Sequence, residues 1–169
     1  MDNLDYNYIS QLFCKLNLSD ENKIITVSQI NPDLFLIESG QKKYYLNKKS
    51  IDQIHYLDDM FEGYNTHNII CPTFKNFEDV LYKLIFFCVN ISLINNDNYF
   101  KETYLRENDE LLTNTLILAV FLDCQELVKL LWIKLIGIKS FGSQQMYEHF
   151  AQFINMNYED KLVKKFASL

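Results

Sequence analysis

Apolar residues recur along this chain in two rhythms, one suited to strands and one to helices. The strand-like part comes early. Ile24-Ile25-Thr26-Val27 is β-branched and predicts a short strand. Leu34-Phe35-Leu36-Ile37 and Lys43-Tyr44-Tyr45-Leu46 predict two more, joined by a turn over 38–42 in which Gly40 supplies a positive φ. A fourth short run, 68–71, also reads as a strand.

Helical spacing accounts for most of the rest. Ile9, Leu12, Phe13 and Leu16 fall at i, i+3, i+4 and i+7, which predicts a helix over 5–17. Residues 50–62 predict a helix with Ile51, Ile54, Leu57 (or Tyr56), Met60 and Phe61 inward, ended by Gly63. Pro72-Thr73 opens another, with Glu78-Asp79 in its first turn. It runs through Val80, Leu81, Leu84, Ile85, Phe87 and Cys88, is apolar on most sides, and is expected at the centre of the core. Asn95-Asn96-Asp97-Asn98 reads as a polar linker. Beyond it the pattern is all helix. One helix is capped at 108–110 and carries Leu111, Leu112 and Leu116. The next is opened by Asp123 and Glu126 as a capping box and carries Leu127, Leu130, Leu131, Trp132, Leu135 and Ile138. A third starts at Ser143 with Met146, Tyr147, Phe150 and Phe153 on one side, and 158–166 forms a last one. Strands early and helices late define an α+β chain.

Composition narrows the function. With 169 residues, 49% apolar, the chain is long enough for one core without staples. Four glycines and two prolines argue against a turn-rich sandwich or barrel. A net charge of −6 with no basic stripe argues against nucleic acid, whose binding draws on phosphate neutralisation. The start, Met1-Asp2-Asn3-Leu4-Asp5, lacks the basic character of an export signal. The apolar stretch 84–94 is interrupted by Asn90 and Ser92 and is too short for a membrane span. Cys14, Cys71, Cys88 and Cys124 lie singly inside apolar runs, as buried reduced thiols of an intracellular protein do.

Candidate chemistry is thin. No glycine spacing builds a phosphate loop, and no strained turn holds a nucleophilic serine. His67 and Cys71 make at most half a zinc site, so a loop histidine beside a buried thiol is the better reading. Asp58-Asp59 reads as the solvated face of a helix. Glu78-Asp79 reads as acids placed at a helix start, where the macrodipole favours them. The expectation is a non-enzyme without metal or cofactor.

Three stretches carry a resemblance. Residues 100–123, F-K-E-T-Y-L-R-E-N-D-E-L-L-T-N-T-L-I-L-A-V-F-L-D, align without a gap to an aromatic, F-L-K, an acidic cap and L-x-x-x-I-L-A-A-N-Y-L-D. Residues 47–62 end in Met60-Phe61-Glu62 against M-L-E, and 80–88 end in Leu84-Ile85-Phe86-Phe87-Cys88 against I-L-x-x-V-I-x-W-C. In this order the chain resembles the S-phase-kinase-associated (Skp) adaptor family and its shorter relative Elongin C, over about 34–166. The resemblance implies a BTB/POZ fold, a small three-stranded sheet with helices, followed by C-terminal helices. It divides the chain into an N-terminal helical extension (1–30), a BTB/POZ α/β portion (31–98) and a helical portion (99–169).

That family bridges cullin scaffolds to F-box substrate receptors of ubiquitin ligases in the cytoplasm and nucleus. The resemblance places Val120 and Phe121 toward a cullin, where the family has Asn and Tyr. It places Leu127, Leu131, Met146, Phe150 and Phe153 toward F-box helices. Three departures stand out: Glu126 replaces a Gly, Ser143-Gln144-Gln145-Met146 replaces T-P-E-E, and the closing W-C-E is not found. The other function open to such a chain is a self-assembly module, and an uncovered apolar groove predicts a homodimer when the protein is alone.

Overall fold

The computed structural model describes residues 23–61, 66–72 and 74–136. The helices expected over 5–17, from Ser143 and over 158–166 lie outside the described residues, as do Met146, Phe150 and Phe153.

The described residues form an α+β body: a four-stranded antiparallel sheet backed by helices. The strands are β1 (Lys23–Asn31), β2 (Leu34–Ser39), β3 (Lys42–Asn47) and β4 (Thr66–Cys71), in the order β3-β2-β1-β4. The four strands read from the sequence all form, one more than the three-stranded sheet that the resemblance implies. β1 runs nine residues where the sequence pattern predicts four. Its alternation was masked in sequence by Thr26 and Ser28, which occupy the outer face. There Thr26 Oγ1 donates to Asn68 Oδ1 at 2.8 Å, and the Ser28 and Thr66 hydroxyls lie 3.2 Å apart. Residues 23–30 are consequently no extension. Ile25 and Val27 are buried, and β1 pairs with β2 on one side and β4 on the other.

Strict alternation turns Ile25, Val27, Phe35, Ile37, Leu46, Ile69 and Cys71 to the covered face. The β2–β3 turn is tighter than predicted. Ser39 pairs with Lys42, leaving Gly40 and Gln41 as a two-residue loop, and Gly40 takes φ +59 as such a loop requires.

The expected 50–62 helix does not form as one piece. Only α1 (Lys48–Ile51) is helical, with the Asn47 side chain accepting from Ser50 N at its start. A single 3-10 turn follows at His55–Leu57, and Asp59 takes φ +69. Ile51, Ile54 and Leu57 are still buried, because a three-residue spacing serves a chain of turns as well as a helix. What breaks the helix is tertiary. The His55 and Tyr56 N–H groups donate to Asp123 and Leu122 carbonyls (3.3 and 3.1 Å) and not to the preceding turn. Asp58 and Asp59 are exposed, but on a turn.

α2 (Phe77–Val89) starts five residues after Pro72, with Glu78 and Asp79 in its first turn. Glu78 accepts from the Ser39 hydroxyl at 2.7 Å, tying α2 to β2. The polar 95–98 stretch is not a linker. α3 (Ile91–Asn96) ends in it, and the Asp97 carboxylate accepts from Phe100 N to cap α4 (Asn98–Leu105). Asn and Asp are cap formers as much as loop formers, so composition alone does not separate the two. Asn108 caps α5 (Asp109–Phe121) in the same way. α5, more than α2, is the central helix: every residue from Leu112 to Val120 is buried. α6 (Gln125–Ile136) packs on it with Leu127, Val128, Leu131 and Trp132 fully buried.

Candidate functional site

The corner where α5 meets α6 is built by backbone hydrogen bonds. Cys124 N donates to Ala119 O (2.8 Å) and Asp123 N to Val120 O (3.1 Å), the paired bonds of a Schellman ending. Asp123 occupies the position usually given to glycine, at φ +53. It therefore ends α5 and does not cap α6: Val128 N bonds to Cys124 O, so the helix opens one residue later than the predicted capping box. The two donations from His55 and Tyr56 lock the 3-10 turn against this ending.

Phe121 sits on that mount. It is part-exposed, and its ring stacks on Tyr56 at 5.4 Å and 28°. Tyr56 is itself 37% exposed. His55 Nδ1 lies 3.1 Å from the Asp58 carboxylate on the same turn. The result is a small aromatic surface held by two elements far apart in sequence. Tyr56 was read only as an alternative core position. The periodicity puts Leu57 inward, and the neighbouring Tyr56 is then displayed.

The other candidate residues fall differently. Val120 is 2% exposed and faces the core, so it offers no surface to a cullin. Leu127 and Leu131 are fully buried against α5 and belong to the core, not to an F-box-facing surface. Their i, i+4 spacing is that of a core stripe, which has the same sequence signature as a docking stripe.

A groove of about 460 Å³ lies between α2 and α4, and sequence reasoning missed it. α2 supplies Asp79, Tyr82, Lys83 and Phe86; the α4 segment supplies Phe100, Thr103, Tyr104 and Glu107. The first set follows i, i+3, i+4, i+7 and is one stripe of α2; Phe100, Thr103 and Tyr104 share one stripe of α4, and Glu107 lies just past its end. Phe86 lies between Phe100 and Tyr104, near-parallel to both (15° and 11°) with centroids about 6 Å apart. Lys83 is buried beneath. Its Nζ donates to Tyr104 O at 2.5 Å, lies 3.6 Å from Glu107 Oε1 and sits 3.9 Å above the Tyr104 ring. Tyr104 Oη donates back to Lys83 O at 2.8 Å. Burial holds the Lys83 ammonium below its usual 10.5, and the Glu107 carboxylate opposes that shift. Burial pushes Tyr104 up, with Cys88, Cys124 and Glu107 adding to it. The two residues form a reciprocal latch between α2 and the end of α4.

The three described cysteines, Cys71, Cys88 and Cys124, are buried, as expected. Cys88 and Cys124 approach to 3.9 Å between sulfurs. His67 is no loop residue: it lies in β4, with its ring edge-on to Phe61 at 5.3 Å. Among the described residues no three His, Cys, Asp or Glu side chains gather as a metal site. No described helix is long and apolar enough to cross a membrane.

The Cys71 thiol sets a pH dependence. Burial pushes it from its usual 9.0 up to about 12. Between these values the unfolded chain releases the proton and the folded chain keeps it, so stability falls as pH rises. The share from Cys71 amounts to about 4 kcal/mol across the window. Cys88 and Tyr104, also pushed up, act in the same direction. Urea unfolding of Cys71→Ala across that window is expected to show a shallower alkaline loss than the parent chain. An identical slope would contradict the burial of this thiol.

No family model, curated protein or solved structure matches this chain.

Proposed function

We propose that this chain is a non-catalytic adaptor of the Skp type on a BTB/POZ-like body, joining a cullin scaffold to an F-box receptor. What supports the reading is the Tyr56–Phe121 pair: two part-exposed, stacked rings on a corner fixed by four backbone hydrogen bonds. Rigid aromatics that become desolvated are the usual anchors of an interface, because little side-chain entropy is lost on binding. Tyr56 and Phe121 are the cullin-facing residues in this proposal, and Val120 supports them from the core. The F-box side rests on Met146, Phe150 and Phe153, with Leu127 and Leu131 no longer part of it.

The full chain is to be mixed with a cullin N-terminal domain and an F-box helical segment and run on a sizing column. Co-elution of all three components is the expected result. Failure of the chain to bind either one overturns the proposal.

The outer face of the sheet favours the second reading, a self-assembly module. Ile24 and Ile70 lie side by side in the β1–β4 register at 50% and 48% exposure. A stable dimer in sedimentation, together with no cullin binding, would select that reading.

A further inference from the structure

We infer that the groove between α2 and α4 is a docking site for an arginine-bearing peptide segment of a partner protein. Its guanidinium would pair with Asp79 and lie on the exposed ring of Tyr82. This surface is separate from the one proposed for a cullin. Leu111 on the groove wall and Phe121 at the corner are ten residues apart along α5, about 15 Å.

The charge balance of the groove chooses the sign of the ligand. Three charged residues line it: Asp79, Lys83 and Glu107. Lys83 is committed, with its ammonium shared between the Tyr104 carbonyl and Glu107, and it is buried. Glu78, next to Asp79, is committed to Ser39 and lies 4.0 Å from Lys23. Asp79 is exposed and has no hydrogen bond or ion pair among the described residues. One carboxylate is left over at the mouth of an aromatic channel, on a chain whose net charge is −6. A cation fits it and an anion does not.

The walls choose which cation. Tyr82 is 54% exposed and tilts against Phe86 at 6.1 Å, so the Tyr82 ring is open to a ligand. A guanidinium is planar and weakly hydrated, stacks on rings and offers a fork of donors to a carboxylate. An ammonium is a hydrated point charge and does neither as well. Lys83 over Tyr104 already shows that these rings accept a cation on their faces. Phe100 and Leu111 leave apolar wall for a neighbouring aliphatic side chain of the same peptide.

The test uses the full chain, isotopically labelled, titrated by NMR with acetyl-Leu-Arg-Leu-amide and with the Lys and Glu counterparts. The Arg peptide is expected to shift the amide signals of 79–86 and 100–107 saturably, and the Glu peptide to leave them in place. Asp79→Asn and Tyr82→Ala should each weaken the Arg peptide by about fivefold. Both residues are exposed, so the thermal midpoint should hold. Equal binding of the Arg and Glu peptides, shifts outside these two segments, no saturable shift, or an unchanged affinity in Asp79→Asn would each overturn the proposal. Equal binding of the Lys peptide would overturn its guanidinium part. The same signals moving with protein concentration alone would show that a second copy fills the groove, and would also overturn it.

Discussion

A chain carrying Val120→Asp is expected to lose its cooperative thermal transition, whereas one carrying Phe121→Lys keeps it. The two positions are adjacent, so sequence context is nearly the same for both. Val120 ends a run of nine buried residues on α5 and is 2% exposed. A carboxylate there has no partner, and burying an unpaired charge costs several kcal/mol even after relaxation. Total stability for a domain of this size is about 5–15 kcal/mol. Phe121 is part-exposed, and a lysine can run its stem along the same surface with its ammonium in water. The loss there is the stack on Tyr56, about 1 kcal/mol. Circular dichroism melts of both variants decide the point. A folded Val120→Asp would mean that Val120 faces outward, as the resemblance implied.

Removal of residues 1–29 should have a still larger effect. Seen as a sequence, the region before residue 31 is an appendage, and its loss should be harmless. In the structure, it contains β1, flanked on both sides by other strands. The deletion takes out Ile25 and Val27, each worth about 1.5–3 kcal/mol by burial, and separates β4 from β2. The truncated chain is expected to show no cooperative unfolding in a thermal melt. A sharp transition with the original midpoint would contradict the strand order.

The contrast between these two variants shows where sequence reading succeeds here. Spacing identified α2, α5, α6 and the β2–β3 hairpin, because each buries a stripe or an alternating face that recurs at a fixed period. It failed at 50–62, where Ile51, Ile54 and Leu57 have helical spacing but the backbone turns away to meet Leu122 and Asp123. It failed at 95–98 for the opposite reason: Asn and Asp look like a loop and serve as a helix end and a cap. The first error comes from hydrogen bonds between distant segments, the second from a local cap whose residues have the composition of a loop.

The candidate site divides the same way. A stripe such as Leu127 and Leu131 has one signature whether it meets a partner or its own core, and here it meets α5. The corner was half legible. Phe121 came from the resemblance, and Tyr56 came from the fold, which brings residues 65 positions apart into a stack. The α2–α4 groove was legible in principle, since both of its walls have helical spacing, but only their juxtaposition makes it a site.

The most direct test of the adaptor reading is a cullin pull-down with the full chain and its Phe121→Lys variant, each first shown to be folded. The parent chain should retain the cullin N-terminal domain, and Phe121→Lys should lose it. Retention of the cullin by the folded variant, or its absence from the parent pull-down, would contradict the assignment of the Tyr56–Phe121 corner as the scaffold-binding surface.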